Sequence, residues 1–154
     1  MSYMLAFFMD LRPSNTLLKG RLILTRNNEL VEVYTALSGA TGWQDRHNVA
    51  DVGRGPIPAT WDVELKNWWV ETTPIPMLEK KGIEGNFYPI KPFTVAIDGK
   101  NRGDFGIHKD ANVPGSAGCI TLPIDGVRWQ RFEKQMSAIR RAGINRIPLQ
   151  VVYS

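Results

Sequence analysis

Glycine and proline punctuate this chain too often for long helices over most of its length. Fourteen Gly and ten Pro are spread through 154 residues, with short apolar runs between them. Both residues interrupt helix interiors and favour turns, so this spacing points to a mainly β fold. Leu22–Thr25 and Leu30–Tyr34 flank Arg26-Asn27-Asn28-Glu29, where the two Asn suit a hairpin turn because they tolerate positive φ. Trp61–Leu65 alternates apolar and polar residues and reads as a half-buried strand. Phe93–Ile97, ended by Asp98-Gly99, reads as another strand. So do Phe105–His108, Cys119–Leu122 and Ile147–Tyr153. Met4–Met9 is apolar but far too short to span a membrane, so residues 1–17 are an N-terminal arm or a first strand.

One segment is helical by its periodicity, from about Gly126 to Ala142. Trp129, Phe132, Met136 and Ile139 recur at steps of three and four, Asp125 is a candidate cap, and Gly143 follows the end. The basic residues on the rest of this helix suit its C-terminal dipole and a solvated face. With no aromatic-interleaved basic motif, nucleic acid is not an expected partner. The length fits a single domain, 1–154. Two long connections, Ser38–Arg54 and Asn67–Pro92, show little periodicity. Their Trp43, Trp68 and Trp69 either line a cleft or fold back on the core.

The inventory of reactive groups is small. One Cys and two His exclude an intramolecular disulfide and a multi-cysteine zinc site, and cofactor chemistry that needs clusters of soft ligands is not expected. Cys119 and His108 lie eleven positions apart, at the near ends of two apolar runs joined by a loop of small residues. Adjacent strand ends linked in this way bring an imidazole to a thiol. The imidazole can take the thiol proton, hold the thiolate as an ion pair and later protonate a leaving amine. The amides of Gly118 and Cys119 can face a developing oxyanion. Ser116 either bonds within the loop or orients the cleft, and Asp110 either orients His108 or closes the turn.

The stretch Ile107-His108…Pro114-Gly115-Ser116-Ala117-Gly118-Cys119-Ile120 resembles the active-site motif of the L,D-transpeptidase catalytic domain, the YkuD-like superfamily. Its form is closer to a short-spacer branch of that superfamily, which includes small bacterial and phage-encoded proteins. Gly55-Pro56-Ile57-Pro58-Ala59-Thr60-Trp61 is similar to the family's Gly-Pro-Ile-Pro-x-Gly-x-Tyr segment, with Thr60 in place of Gly. Ser38-Gly39 fits the family's Ser-Gly element after a strand. Ala117 stands where many members carry a second His, and the spacer from His108 to Cys119 is shorter than in the commonest members.

The resemblance implies a YkuD-like β-sandwich with one main C-terminal helix packed on the sheet. It implies cysteine-dependent acyl transfer on peptidoglycan stem peptides, with Cys119 as nucleophile, His108 as base, Ser116 in the catalytic group, and a thioester resolved by an amine or by water. Trp43, Asp110, Ser38 and Gly39 are candidate substrate contacts. The alternatives are an L,D-carboxypeptidase or endopeptidase, or a non-catalytic cell-wall-binding module of a phage particle that keeps the fold. A net charge of +4 suits an anionic wall polymer. The expected setting is the cell envelope, the periplasm or a phage virion, with virion or envelope proteins as further partners. The first residues lack a basic n-region and a clear cleavage site, so delivery by another route, after a cytoplasmic stage, is expected.

Overall fold

The computed structural model describes residues 2–110 and 115–154. In chain order the elements are β1 (Tyr3–Met9), β2 (Gly20–Arg26), β3 (Glu29–Ser38), a short 3-10 helix (Arg46–Ala50), β4 (Trp68–Glu71), β5 (Ile75–Met77), β6 (Gly85–Lys91), β7 (Thr94–Ile97), β8 (Lys100–Gly103), β9 (Gly106–Asp110), β10 (Ile120–Pro123), α1 (Arg128–Arg141) and β11 (Arg146–Tyr153). The chain is mainly β, with one helix packed on a sheet.

Most strands join one nine-stranded sheet in the order β4-β11-β1-β2-β3-β10-β9-β6-β5. β4 also pairs with β6, so the pairings close into a circuit. β1 lies mid-sheet, parallel to β11 and antiparallel to β2, so residues 3–9 form a central strand rather than a loose arm. Register places Phe7, Leu22 and Tyr34 on one face, and likewise Leu149 with Trp68 and Tyr88 with Ile107. All are buried. Onto this face α1 lowers Trp129, Phe132, Met136 and Ile139. The Phe132 ring meets Tyr34 and Tyr88 edge-on, each at 5.5 Å.

The hairpin turn at Asn27 and Asn28 forms as its residues predict, with φ of 51° and 66°. The helix ends at Gly143, as expected. Gly143 N–H donates to Arg140 O and Ile144 N–H to Ile139 O, the paired bonds of a Schellman stop. Its start differs. Asp125 does not cap; it accepts from the Arg128 guanidinium instead, and Val127 holds the cap position without a side-chain bond.

Two further expectations are overturned. Trp61–Leu65 is a chain of turns, with Glu64 at φ 54° and Trp61 exposed. Thr60 explains why: its backbone N–H and side-chain oxygen both engage Val151 on β11, and the chain then folds back as Leu65 N–H donates to Thr60 O. The stretch Asn67–Pro92 is not structureless either; it contains β4, β5 and β6. Proline sits inside two of those strands, at Pro76 and Pro89, which hides them from a reading by pattern. Among the described residues, no helix is long and apolar enough to cross a membrane.

Candidate active site

β9 and β10 run side by side and parallel, with Ile107 opposite Ile120 and His108 opposite Thr121. Such strands need a crossing connection. Its middle, Ala111–Pro114, lies outside the described residues. Where the chain resumes, Gly115 N–H donates to the Asp110 carboxylate at 3.0 Å, so Asp110 closes the connection. Among the described residues it makes no bond to His108. Burial raises its pKa, while the Gly115 bond and the Lys19 charge pull it down.

The turn before Cys119 is braced on both sides. Ser116 Oγ donates to Cys119 O at 2.6 Å and accepts from Gly39 N–H at 3.0 Å. Ser116 N–H returns to Gly39 O. Ser38 Oγ donates to Gly118 O at 3.0 Å and accepts from Ile57 N–H at 2.9 Å. Ser38 is fully buried, so it is a scaffold group and not a substrate contact. Gly39 likewise serves through its backbone, at φ 91°. Ser116 holds the turn that presents the thiol. Gly118 N–H points at Ser116 Oγ, 3.3 Å away, so that amide is engaged within the turn rather than facing an oxyanion. Only glycine fits at 118: φ is 130°, and a Cβ there would lie 2.5 Å from Arg102 Nη2.

The Cys119 thiol turns toward the backbone that leads into β9. It donates to Asp104 O at 3.7 Å, and the Gly106 backbone N–H lies near enough to favour its thiolate. Gly106 lies two residues before His108 on one strand, a step of about 7 Å. Thiol and imidazole are thus brought to neighbouring positions, but no hydrogen bond or ion pair joins them among the described residues. The Phe87 ring occupies the space over Gly106 and stacks on His108 with centroids 6.1 Å apart.

His108 is buried, and its Nδ1 lies 2.7 Å from Lys109 O. A carbonyl only accepts, so Nδ1 carries the proton and Nε2 keeps its lone pair as a base. Burial lowers the pKa of His108, against the Lys109 bond. Burial also pushes the Cys119 thiol up to about 11, against the Gly106 N–H. Both shifts favour the neutral thiol and imidazole over the expected ion pair.

Residues absent from the sequence expectations complete the site. Arg102 is buried and donates to four carbonyls, those of Val49, Gly55, Pro56 and Ala117. The segment Gly55–Thr60 is irregular yet buried throughout, and side chains satisfy its backbone. Arg102 takes Gly55 O and Pro56 O, Tyr153 Oη takes Ile57 O, and Trp68 Nε1 takes Pro58 O. An arginine in the polar run Lys100–Asp104 carries no sequence mark of burial. Phe87 lay in a stretch read as loop. Thr121, just after the motif, is fully buried and its hydroxyl lacks a partner among the described residues.

The aromatic residues separate. Trp68 is core. Trp69 lies on the other side of β4, under the Arg146 guanidinium at 4.7 Å. Trp43 lines an open cleft of about 470 Å³ with Asp51, Val52, Arg54 and Lys100, and the Arg54 guanidinium stands 4.4 Å over its ring. Neither Cys119 nor His108 lines that cleft. His47 is exposed, with its Nδ1 2.7 Å from the Asp45 carboxylate. Comparison with protein-family models, with curated proteins and with solved structures finds no match for this chain.

Proposed function

We propose that this chain is a cysteine acyltransferase or hydrolase acting on peptidoglycan stem peptides, on a YkuD-like β-sandwich in which the strand circuit is flattened into two faces. The observation that carries the reading is the β9–β10 pairing, whose register sets Cys119 beside Gly106 with His108 two residues on. The Cys119 thiol donates to Asp104 O at the entry to β9, and His108 has its Nε2 lone pair fixed by the Nδ1 bond to Lys109 O. The motif residues support the same reading, and so does the positive net charge.

In this mechanism Cys119 gives its proton to His108 Nε2 as the sulfur attacks the carbonyl of the third, diamino-acid residue. The C–N bond to the terminal D-residue breaks, and the imidazolium returns the proton to the leaving amine. The thioester is then resolved by the side-chain amine of another stem, giving a crosslink, or by water, giving a shortened stem. No cofactor enters. The substrate places the working protein at the cell envelope or in a phage particle that meets it.

A second reading is a non-catalytic wall-binding module. The placement of Phe87 over Gly106 and the raised thiol favour it. One experiment separates the two. The protein and its Cys119→Ala variant are incubated with purified sacculi or tetrapeptide muropeptides, and the products are identified by mass spectrometry. New dimers mean transpeptidation; tripeptides or split crosslinks mean hydrolysis. Wall binding without any Cys119-dependent product overturns the enzyme reading.

A further inference from the structure

Arg102 is a buried cation bonded to main-chain carbonyls and, among the described residues, to no carboxylate. Burying a charge is costly unless it is paired or fully hydrogen-bonded. Three of its four carbonyls, those of Val49, Gly55 and Pro56, belong to one wall of the site. The fourth belongs to Ala117, two residues before the thiol, at 3.0 Å. Nη2 alone bridges Gly55 O and Ala117 O and fills the space a Gly118 side chain would need. Holding carbonyls does not require a full charge. Placing one behind a thiol does something more.

We propose that Arg102 is a positioning residue of the Cys119 site, tying the thiol-bearing turn to the 49–56 wall and supplying a fixed positive charge that favours the thiolate. This rests on reading Cys119 as the nucleophile. Other titratable groups face the same two side chains. Asp104 opposes thiol ionisation, and Lys80 favours it. Asp51 and Tyr153 face Arg102 itself. Lys80 favours the thiolate more strongly than Arg102 does, but among the described residues Arg102 is the cation hydrogen-bonded to the turn that carries the thiol.

The test is the pH profile of Cys119 alkylation in the full chain, read by intact mass, for wild type and for Arg102→Met, Arg102→Lys and Ser116→Ala. Arg102→Met is expected to move the midpoint upward, so that alkylation near pH 8 falls about threefold or more, the effect of half a pKa unit. Arg102→Lys keeps the charge and is expected to hold the midpoint near wild type. Ser116→Ala loosens the same turn, keeps the cation and is expected to leave the midpoint in place. If Arg102→Met does not fold, Arg102→Gln, which retains an amide donor for a carbonyl, carries the same comparison. A folded neutral variant with an unmoved midpoint overturns the assignment, and so does a Ser116→Ala shift of equal size. The sacculus assay is read separately. If wild type leaves sacculi unchanged while the profile follows Arg102, acyl transfer fails and thiol tuning stands. If Cys119-dependent products form while the profile ignores Arg102, the assignment fails and acyl transfer stands.

Discussion

Thr121 lies directly beside His108 across the β9–β10 pairing, and its fully buried hydroxyl has no hydrogen-bond partner among the described residues. An unpartnered buried hydroxyl carries a desolvation cost, and Val keeps its branched shape in a strand. Thr121→Val is therefore expected to stabilise the protein by about 1 kcal/mol, measured by urea denaturation. If the hydroxyl contacts His108 or substrate during turnover, activity on muropeptides falls while stability rises. An unchanged or lower stability would contradict the reading of this hydroxyl as unsatisfied.

Gly106 and Phe87 are coupled by space. Gly106→Ala drives a methyl into the Phe87 ring, and overpacking of this kind costs about 1–3 kcal/mol. In a Phe87→Ala background the same substitution is expected to cost less than about 1 kcal/mol. A double-mutant cycle on denaturation free energies gives the coupling directly. Additive costs would mean that the ring yields freely.

The buried His108 makes stability depend on pH with a defined sign. Its folded-state pKa lies below the ordinary 6.5 because burial disfavours the imidazolium. Above 6.5 the group is neutral in both states and contributes no slope. As pH falls below that value the unfolded chain binds the proton first, so folding stability declines until the folded-state pKa is reached. The slope from one group is at most about 1.4 kcal/mol per pH unit. Stability curves of wild type and His108→Gln are expected to differ in slope in that window, with the flatter curve belonging to the variant.

Cys119 should be a slow thiol at rest. Burial raises it from an ordinary 9.0 to about 11, which lowers the thiolate fraction near neutral pH about a hundredfold. Iodoacetamide is expected to modify it about that much more slowly than an unstructured cysteine peptide at the same pH, with rates compared by intact mass. Fast modification at neutral pH would show that the thiol is not held in its neutral form. Stability should also fall as pH rises from 9 toward 11, because the native thiol holds its proton longer than the unfolded one.

Legibility in the sequence followed the range of the interactions. The Asn27-Asn28 hairpin, the face of α1 and the Gly143 stop are set by neighbours in the chain, and their residues announce them. The stretches that became β9, β10 and β11 could be seen as apolar runs, and the turn before Cys119 by its small residues. What stayed hidden depends on distant partners. β4 and β6 became strands because β11 and β9 supply edges for them, despite Pro89 within β6. Thr60 turns the chain away from a strand at Trp61 because Val151 holds it. Arg102 carries no local mark of burial because the four carbonyls that receive it come from residues 49, 55, 56 and 117. Ser38 and Asp110 were visible as polar groups near the motif, but only geometry shows that their oxygens face the protein's own backbone.

The bond from Tyr153 to Ile57 O spans 96 residues. It anchors the same 55–60 segment on which Arg102 seats the cysteine turn. The wall behind the thiol therefore takes shape only once the last strand has docked beside β1. A growing chain emerging from the ribosome would carry its cysteine and histidine for some time without a site, because closing such distant contacts is the slow part of folding. Clipping β11 should leave a chain that still contains both reactive side chains and holds neither in place.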